Sequence, residues 1–105
     1  MDQCITIVQF ATAARCKTDA LTAAEGSAPT YRDLAAAGLI RKDYLNGESG
    51  GGGVYLWESS VAAEAWFTSE RIDSLAQRFG VRPSITYYET YVTVDNLTGE
   101  TRVRA

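Results

Sequence analysis

The sequence predicts an α+β domain with the element order β-α-β-β-α-β. Three observations support this order. Short runs rich in β-branched and aromatic residues lie near both ends of the chain, a glycine-rich turn separates two further runs, and Ala-rich helical stretches fill the intervals. This is the split βαβ arrangement, which has a four-stranded antiparallel sheet with both helices on one face.

The first strand is predicted at residues 5–10, where apolar residues occur at both even and odd positions. That pattern is typical of a strand covered on both faces. A helical region follows at residues 15–37, and we expect Gly26 and Pro29 to split or bend it. Gly38 is expected to end the helical region, because glycine readily adopts the left-handed conformation found there.

The middle of the chain predicts a β-hairpin. Residues 39–45 alternate loosely in polarity, and residues 54–57 form a clear apolar strand. Between them, residues 46–53 end in four consecutive glycines, for which we expect a flexible loop with close backbone approach at Gly53. A phosphate-binding loop is not expected, because this run leads into a strand rather than into a helix.

A second helical region follows the hairpin. Ser59 or Ser60 is expected to cap it, Gly80 to end it, and a break is expected near Thr68. Its predicted apolar stripe consists of Val61, Ala65, Ile72, Leu75 and Phe79.

The last predicted strand covers residues 85–94, which are rich in Tyr, Thr and Val. Residues 96–99 predict a turn, and residues 101–104 a short returning strand or an arm. The first and last strands carry large side chains at both even and odd positions, yet two helices cover only one face of a sheet. We therefore expect the second face to pack against another copy of the chain in a homodimer.

Composition excludes several classes of function. The chain has 105 residues, which predicts a single domain over residues 1–105, and it contains no histidine, which excludes Ser-His-Asp and Cys-His catalysis and His-rich zinc sites. A formal net charge of -3 and scattered basic residues argue against nucleic-acid binding.

The first apolar run is too short for a signal or membrane segment, so a cytoplasmic protein without a membrane partner is expected. Cys4 and Cys16 predict reduced, buried thiols.

Five short segments together point to a known family. They are Gly38-Leu39-Ile40-Arg41-Lys42, Gly52-Gly53-Val54-Tyr55-Leu56-Trp57, an Ala-rich helix with Trp66, Gly80-Val81, and Val94-Asp95-Asn96. Over residues 38–96 the chain resembles the YdhR-like mono-oxygenase family of the dimeric α+β barrel superfamily. The resemblance implies a ferredoxin-like protomer, a dimeric α+β barrel, and a pocket between helices and sheet in each protomer. Haem degradation, which some of those relatives perform, is not expected in a chain without an axial histidine.

Three residues are candidates for catalysis. Arg41 is predicted to stabilise an enolate or phenolate oxygen, or else to form an ion pair at the strand edge. Glu89 is predicted to be the most buried carboxylate and a general base, or else to pair with an arginine at the dimer interface. Tyr55 is the third candidate. The predicted substrate-binding residues are Gln9, Tyr44, Trp57, Trp66 and Tyr88.

The function predicted from the resemblance and these side chains is cofactor-independent mono-oxygenation of an aromatic or polycyclic metabolite, in natural-product biosynthesis. The substrate would be deprotonated to an electron-rich anion that itself reacts with O2, while the protein supplies a dry pocket and orientation. A non-oxidative cyclase or isomerase that uses the same pocket remains open. So does a non-catalytic ligand-binding or accessory dimer. No cofactor or metal is expected.

Overall fold

The structure is a computed structural model that describes residues 2–104. Its elements are β1 (Gln3–Phe10), α1 (Lys17–Asp33), a 3-10 turn (Leu34–Ala37), β2 (Leu39–Gly47), β3 (Gly50–Trp57), α2 (Ser60–Trp66), α3 (Ser69–Phe79), β4 (Ser84–Thr90), β5 (Val92–Asp95) and β6 (Glu100–Val103). The first four strands form one antiparallel sheet in the order β2-β3-β1-β4. The predicted four-stranded α+β fold is thereby confirmed, and this strand order is compatible with a ferredoxin-like arrangement.

The core lies between the helices and one face of the sheet. Alternate residues of the central strand β1 point into it: Cys4, Thr6, Val8 and Phe10 are all buried. Trp57 of β3 is fully buried beside them, and its Nε1 donates a hydrogen bond of 2.9 Å to Oγ1 of Thr6. Burial of a large apolar side chain contributes about 2–3 kcal/mol, and the hydrogen bond prevents the indole N–H from being left without a partner.

The opposite face of the sheet is only half-buried. It presents Ile5 and Ile7 of β1 next to Val54 and Leu56 of β3, all with intermediate exposure, and Tyr88 of β4 is 53% exposed. In the single chain the helices therefore cover the first strand on one face only, and the cover of its other face by a second copy stays a prediction. We call this surface the open face.

The four glycines lie inside β3 and not in a flexible loop, since Glu48 and Ser49 alone form the hairpin turn. Gly50 has φ 120° and Gly52 has φ 150°. A Cβ at Gly52 would lie 1.9 Å from the carbonyl oxygen of Val8 on the neighbouring strand. Close backbone approach therefore occurs at Gly50 and Gly52, two positions where only glycine fits.

Helix α1 runs unbroken through Gly26 and Pro29, so the predicted split is wrong. The helix lies at the surface and has no buried residue. Pro29 has no backbone N–H, so the carbonyl group one turn before it lacks a helical donor, and water can donate a hydrogen bond to it instead. Cys16 stands at its N-cap and is exposed, in contrast to the buried Cys4. Gly38, with φ 101°, follows the 3-10 turn and ends the helical region as predicted.

The second helical region is divided into α2 and α3, as predicted. The hydroxyl of Ser59 accepts from the backbone N–H of Ala62, and that of Thr68 accepts from the N–H of Arg71, so each helix has its own N-cap. The predicted apolar stripe is wrong at Val61, which is 74% exposed, and at Ala65, which is also exposed. The break changes the phase of the helix, and Ala63 and Phe67 occupy the core instead.

The predicted last strand is interrupted. β4 ends at Thr90, and β5 leaves the main sheet to pair with β6, the predicted returning strand. The side chain of Arg104 links β4 to β5. Its Nε donates a hydrogen bond of 3.0 Å to the carbonyl oxygen of Thr90, and its Nη2 donates one of 2.6 Å to Oγ1 of Thr93. The result is a separate C-terminal hairpin, on which Leu97 is fully exposed at the turn. Within residues 2–104, no helix has the length and apolar character needed to cross a membrane.

Candidate functional site

A cleft of about 710 Å³ lies between α1, the helix-covered side of the sheet and the end of α3. We call it the α1 cleft. Its volume is in the range of pockets for small molecules. Its lining includes Val8, Phe10, Ala20, Ala24, Ser27, Tyr31, Lys42, Tyr44, Gly51, Gly52, Gly53, Tyr55, Leu75 and Phe79.

The α1 cleft exists because both of its walls carry small side chains. The wall formed by β3 consists of glycines, and the facing side of α1 carries Ala20 and Ala24. Gly53 also leaves room for its neighbour on β2, because a Cβ there would lie 2.9 Å from Cε of Lys42. The glycine run therefore shapes a concave surface into which the Lys42 side chain extends.

The ammonium group of Lys42 is surrounded by three tyrosine rings. Nζ lies 3.3 Å from the ring centroid of Tyr31, 4.0 Å from that of Tyr44 and 4.7 Å from that of Tyr55. The π faces attract the ammonium group. Loss of water opposes them, and this desolvation lowers the pKa of Lys42 to about 7. Near neutral pH the amine is therefore present in both protonation states.

The charged side chains that line the α1 cleft are all basic. They are Arg15, Lys17, Lys42 and Arg78, and no carboxylate belongs to the described lining. Lys42 forms no ion pair with any carboxylate in the described part of the chain. A basic cleft in a chain with a net charge of -3 is a local concentration of positive charge, which favours an anionic ligand.

Hydroxyl groups surround the same cleft. Tyr55 is only 4% exposed, and its hydroxyl donates a long hydrogen bond of 3.5 Å to the hydroxyl of Tyr31. Burial raises the pKa of Tyr55 well above its ordinary value, so its phenol stays protonated and serves as a donor. The hydroxyls of Tyr44 and Ser27 lie 2.7 Å apart and join β2 to α1.

A second cleft of about 660 Å³ lies on the other side of α1, next to α3. Tyr31 and Tyr55 border both clefts. Trp66 lines the second cleft and is covered by the guanidinium group of Arg71, whose Cζ lies 3.4 Å from the indole centroid. Trp66 is therefore separated from Lys42 by the tyrosines.

Arg41 lies on the face of β2 opposite to Lys42, as the alternation of the strand predicts. It is exposed, and its Nε donates to the Asp43 carboxylate at 2.9 Å. This bond raises the pKa of Arg41, which stays protonated. The structure thus places Arg41 outside the α1 cleft and in the strand-edge ion pair that was the alternative prediction.

Glu89 is exposed, so the prediction of a buried carboxylate is wrong. It lies opposite Cys4 near the end of β4, and the hydroxyl of Tyr91 donates a hydrogen bond to it. This bond raises the pKa of Tyr91. The position of Glu89 at a strand end explains its exposure, because the helices do not extend over it.

The remaining predicted residues are distributed over different parts of the fold. Tyr44 and Tyr55 line the α1 cleft, and Trp57 lies beneath them in the core, with its ring 6.0 Å from that of Tyr55 and almost parallel to it. Gln9 and Tyr88 are exposed on the other side of the sheet. Of the eight predicted residues, the structure therefore brings only Tyr44 and Tyr55 into contact with the α1 cleft.

The sequence prediction missed Lys42 and Tyr31. A signal for Lys42 was present, because it alternates with Arg41 and shares a strand face with Tyr44. A lysine on the inward face of a strand, opposite a glycine-rich strand, differs from an ordinary solvated lysine. The sequence around Tyr31 gives no comparable signal, because Tyr31 reaches the α1 cleft only when α1 continues as one helix through Gly26 and Pro29.

No family model matches this chain, and the curated proteins include no significant match. The geometry of the α1 cleft therefore carries the functional inference.

Proposed function

We propose that this protein is a cofactor-independent mono-oxygenase-like enzyme that binds an aromatic or polycyclic metabolite in the α1 cleft. One observation carries the proposal: Nζ of Lys42 projects into an aromatic cleft whose described charged groups are all basic. The resemblance of residues 38–96 to YdhR-like mono-oxygenases agrees with this activity. In this proposal Lys42 takes the roles that the sequence had given to Arg41 and Glu89.

The ligand class follows from the chemistry of the lining. Planar rings stack on the faces of Tyr31 and Tyr44, and a phenolate or enolate oxygen pairs with the Lys42 ammonium. An ion pair is stronger in a cleft with little water than at the surface, because the effective dielectric constant is lower. An aromatic ligand with an acidic hydroxyl or an enolisable carbonyl satisfies both requirements.

Lys42 can supply both proton transfer and charge stabilisation. Its neutral amine accepts a proton from the substrate, and the resulting ammonium stays beside the substrate anion. Protonated Tyr55 donates a hydrogen bond in the same cleft. A single side chain thus creates the anion and stabilises it.

The oxidation step needs only the substrate anion and O2. The carbanion passes one electron to O2, and the two radicals combine with formation of a C–O bond. The peroxide takes up the proton held by the Lys42 ammonium. The amine then removes the remaining proton of that carbon, the C=O bond forms, the O–O bond breaks, and the departing hydroxide leaves with this proton as water. A CH2 group and O2 thus become C=O and H2O, and the amine is regenerated.

We also propose that the protein works as a homodimer through its open face. Ile5, Ile7, Val54 and Leu56 form an apolar row on a sheet whose helices all pack on the other side. Such a face is unusual on a monomer, and a second copy offers a matching surface by two-fold symmetry.

The test of the enzymatic proposal is oxygen uptake. The purified protein is given a polycyclic phenol that has a CH2 group between two rings, without added cofactor. We expect one O2 consumed per ketone formed, and a loss of about 100-fold or more in Lys42→Met. Arg82→Met is the matched control, because it removes an exposed basic side chain that lines neither cleft and should keep the activity.

Other outcomes would overturn this proposal. A rearranged or cyclised product without oxygen uptake would favour the isomerase or cyclase alternative. Saturable binding without any product across a panel of such phenols would favour a ligand-binding or accessory dimer.

A further inference from the structure

We propose that Lys42 is also a site of reversible covalent capture for small aromatic aldehydes and ketones, with which its amine forms an imine. This activity is separate from oxygenation and does not depend on it. It requires only that the amine be accessible, able to react in its neutral form, and placed where a carbonyl compound can bind.

The α1 cleft meets the requirement of access. Lys42 is part of the cleft lining together with Gly53 and Leu45, and its Cε occupies the space that the absent Cβ of Gly53 leaves. Tyr31 and Tyr44 line the cleft close to Nζ, and their rings offer aromatic contacts to a carbonyl compound bound there. The carbonyl carbon is thereby held near the nucleophile.

The surroundings of Lys42 also favour the neutral amine. No described carboxylate pairs with it, and removal of water disfavours its charge. Desolvation of a lysine in an apolar pocket is a general way to make its amine nucleophilic. The phenols and charged groups that share the cleft with it are Tyr31, Tyr44, Tyr55, Arg15, Lys17 and Arg78.

The reaction balances without an oxidant or reductant. The lone pair of Nζ attacks the carbonyl carbon, a C–N bond forms, and the carbonyl π electrons move to oxygen. A proton passes from nitrogen to that oxygen and gives a carbinolamine, for which the hydroxyl of Tyr55 is a nearby donor and acceptor. The C–O bond then breaks with release of water, and an imine remains.

Two features of the chain make the test direct. Lys17 and Lys42 are the only lysines, and Lys17 is exposed at the start of α1. Lys17 is thus an internal control in the same molecule. The α-amino group is the remaining amine, and peptide mapping separates it from both.

The experiment traps the imine. Wild-type protein at neutral pH is mixed with benzaldehyde under argon and reduced with borohydride, which converts an imine into a stable benzylamine. Digestion and mass spectrometry then locate the label. We expect Lys42 to be labelled at least about tenfold more than Lys17, given the roughly thousandfold larger fraction of neutral amine at a pKa near 7 than at an ordinary lysine. Lys42→Arg should lose this label.

A pH series gives a second readout that does not depend on a variant folding. Labelling of Lys42 should be half-maximal near pH 7. Equal labelling of the two lysines, or label on the α-amino group with Lys42 unmodified, would overturn the proposal. Because benzaldehyde has no CH2 to oxidise and oxygen is absent, this result is independent of the oxygenase assay.

Discussion

Replacement of Lys42 by methionine should make the protein more stable at low pH while it removes the proposed activity. The pKa of Lys42 falls from 10.5 in the unfolded chain to about 7 in the fold, because burial disfavours the ammonium. A difference of this size corresponds to about 5 kcal/mol of unfavourable free energy below pH 7, where both states are protonated.

The sign of the pH dependence follows from the lowered pKa. Between pH 7 and 10.5 the unfolded chain binds a proton that the folded protein does not, so the free energy of unfolding of the wild type rises with pH in this window. Methionine has a similar length and no charge, so the variant lacks this rise. We expect Lys42→Met to exceed the wild type by several kcal/mol, up to about 5 kcal/mol, at about pH 6, and the difference to fall below half of that by about pH 9.

Urea unfolding followed by tryptophan fluorescence measures the effect, because Trp57 is fully buried in the core. Lys17→Met is the control, and as an exposed substitution it should change the free energy of unfolding by no more than about 0.5 kcal/mol at any pH tested. A variant that is less stable than the wild type at about pH 6 would refute the reasoning, since the tyrosines would then stabilise the ammonium more than its burial destabilises it. A difference that does not change with pH would refute it as well.

Three further predictions concern the sheet and the excluded candidates. Gly52→Ala should lower the free energy of unfolding by about 3 kcal/mol or more, because its Cβ would lie 1.9 Å from a carbonyl oxygen of β1, whereas Gly26→Ala has open space around it and should raise stability by about 0.5–1 kcal/mol. Urea unfolding distinguishes these outcomes, and equal effects would contradict the strand assignment of the glycines. Ile7→Arg should convert the proposed dimer into monomers in light scattering, and a wild type that is already monomeric would exclude the dimer. The kcat of Arg41→Ala should stay within about twofold of the wild-type value, and a larger loss of kcat would show that Arg41 takes part in the reaction.

Much of the fold could be predicted from local signals. The hairpin, the caps at Ser59 and Thr68, and the helix ends at Gly38 and Gly80 depend on short-range chemistry that a sequence displays directly. The four-stranded antiparallel sheet also followed, because few topologies suit such an alternation of elements.

The errors arose where a tertiary contact decides the structure. The glycines at residues 50–53 form a strand because two neighbouring backbones approach them closely, and β5 pairs with β6 instead of continuing β4, whose pairing with β1 ends at Gln3 and Thr90. In the site, Tyr44 and Tyr55 could be predicted from strand alternation. Lys42 was missed because a charged residue in a strand normally faces water, and only the space above Gly53 shows that this one does not.

Helix α1 has a consequence for how binding preference could change over evolution or in the laboratory. It contributes no buried residue, yet Ala20 and Ala24 form one wall of the α1 cleft. Larger or smaller residues at these two positions would change the size of the ligand that the α1 cleft binds, while the sheet and its buried tryptophan stay unchanged. Selectivity and folding are therefore governed by different parts of the chain, which gives a protein of this size unusual freedom to acquire new ligands.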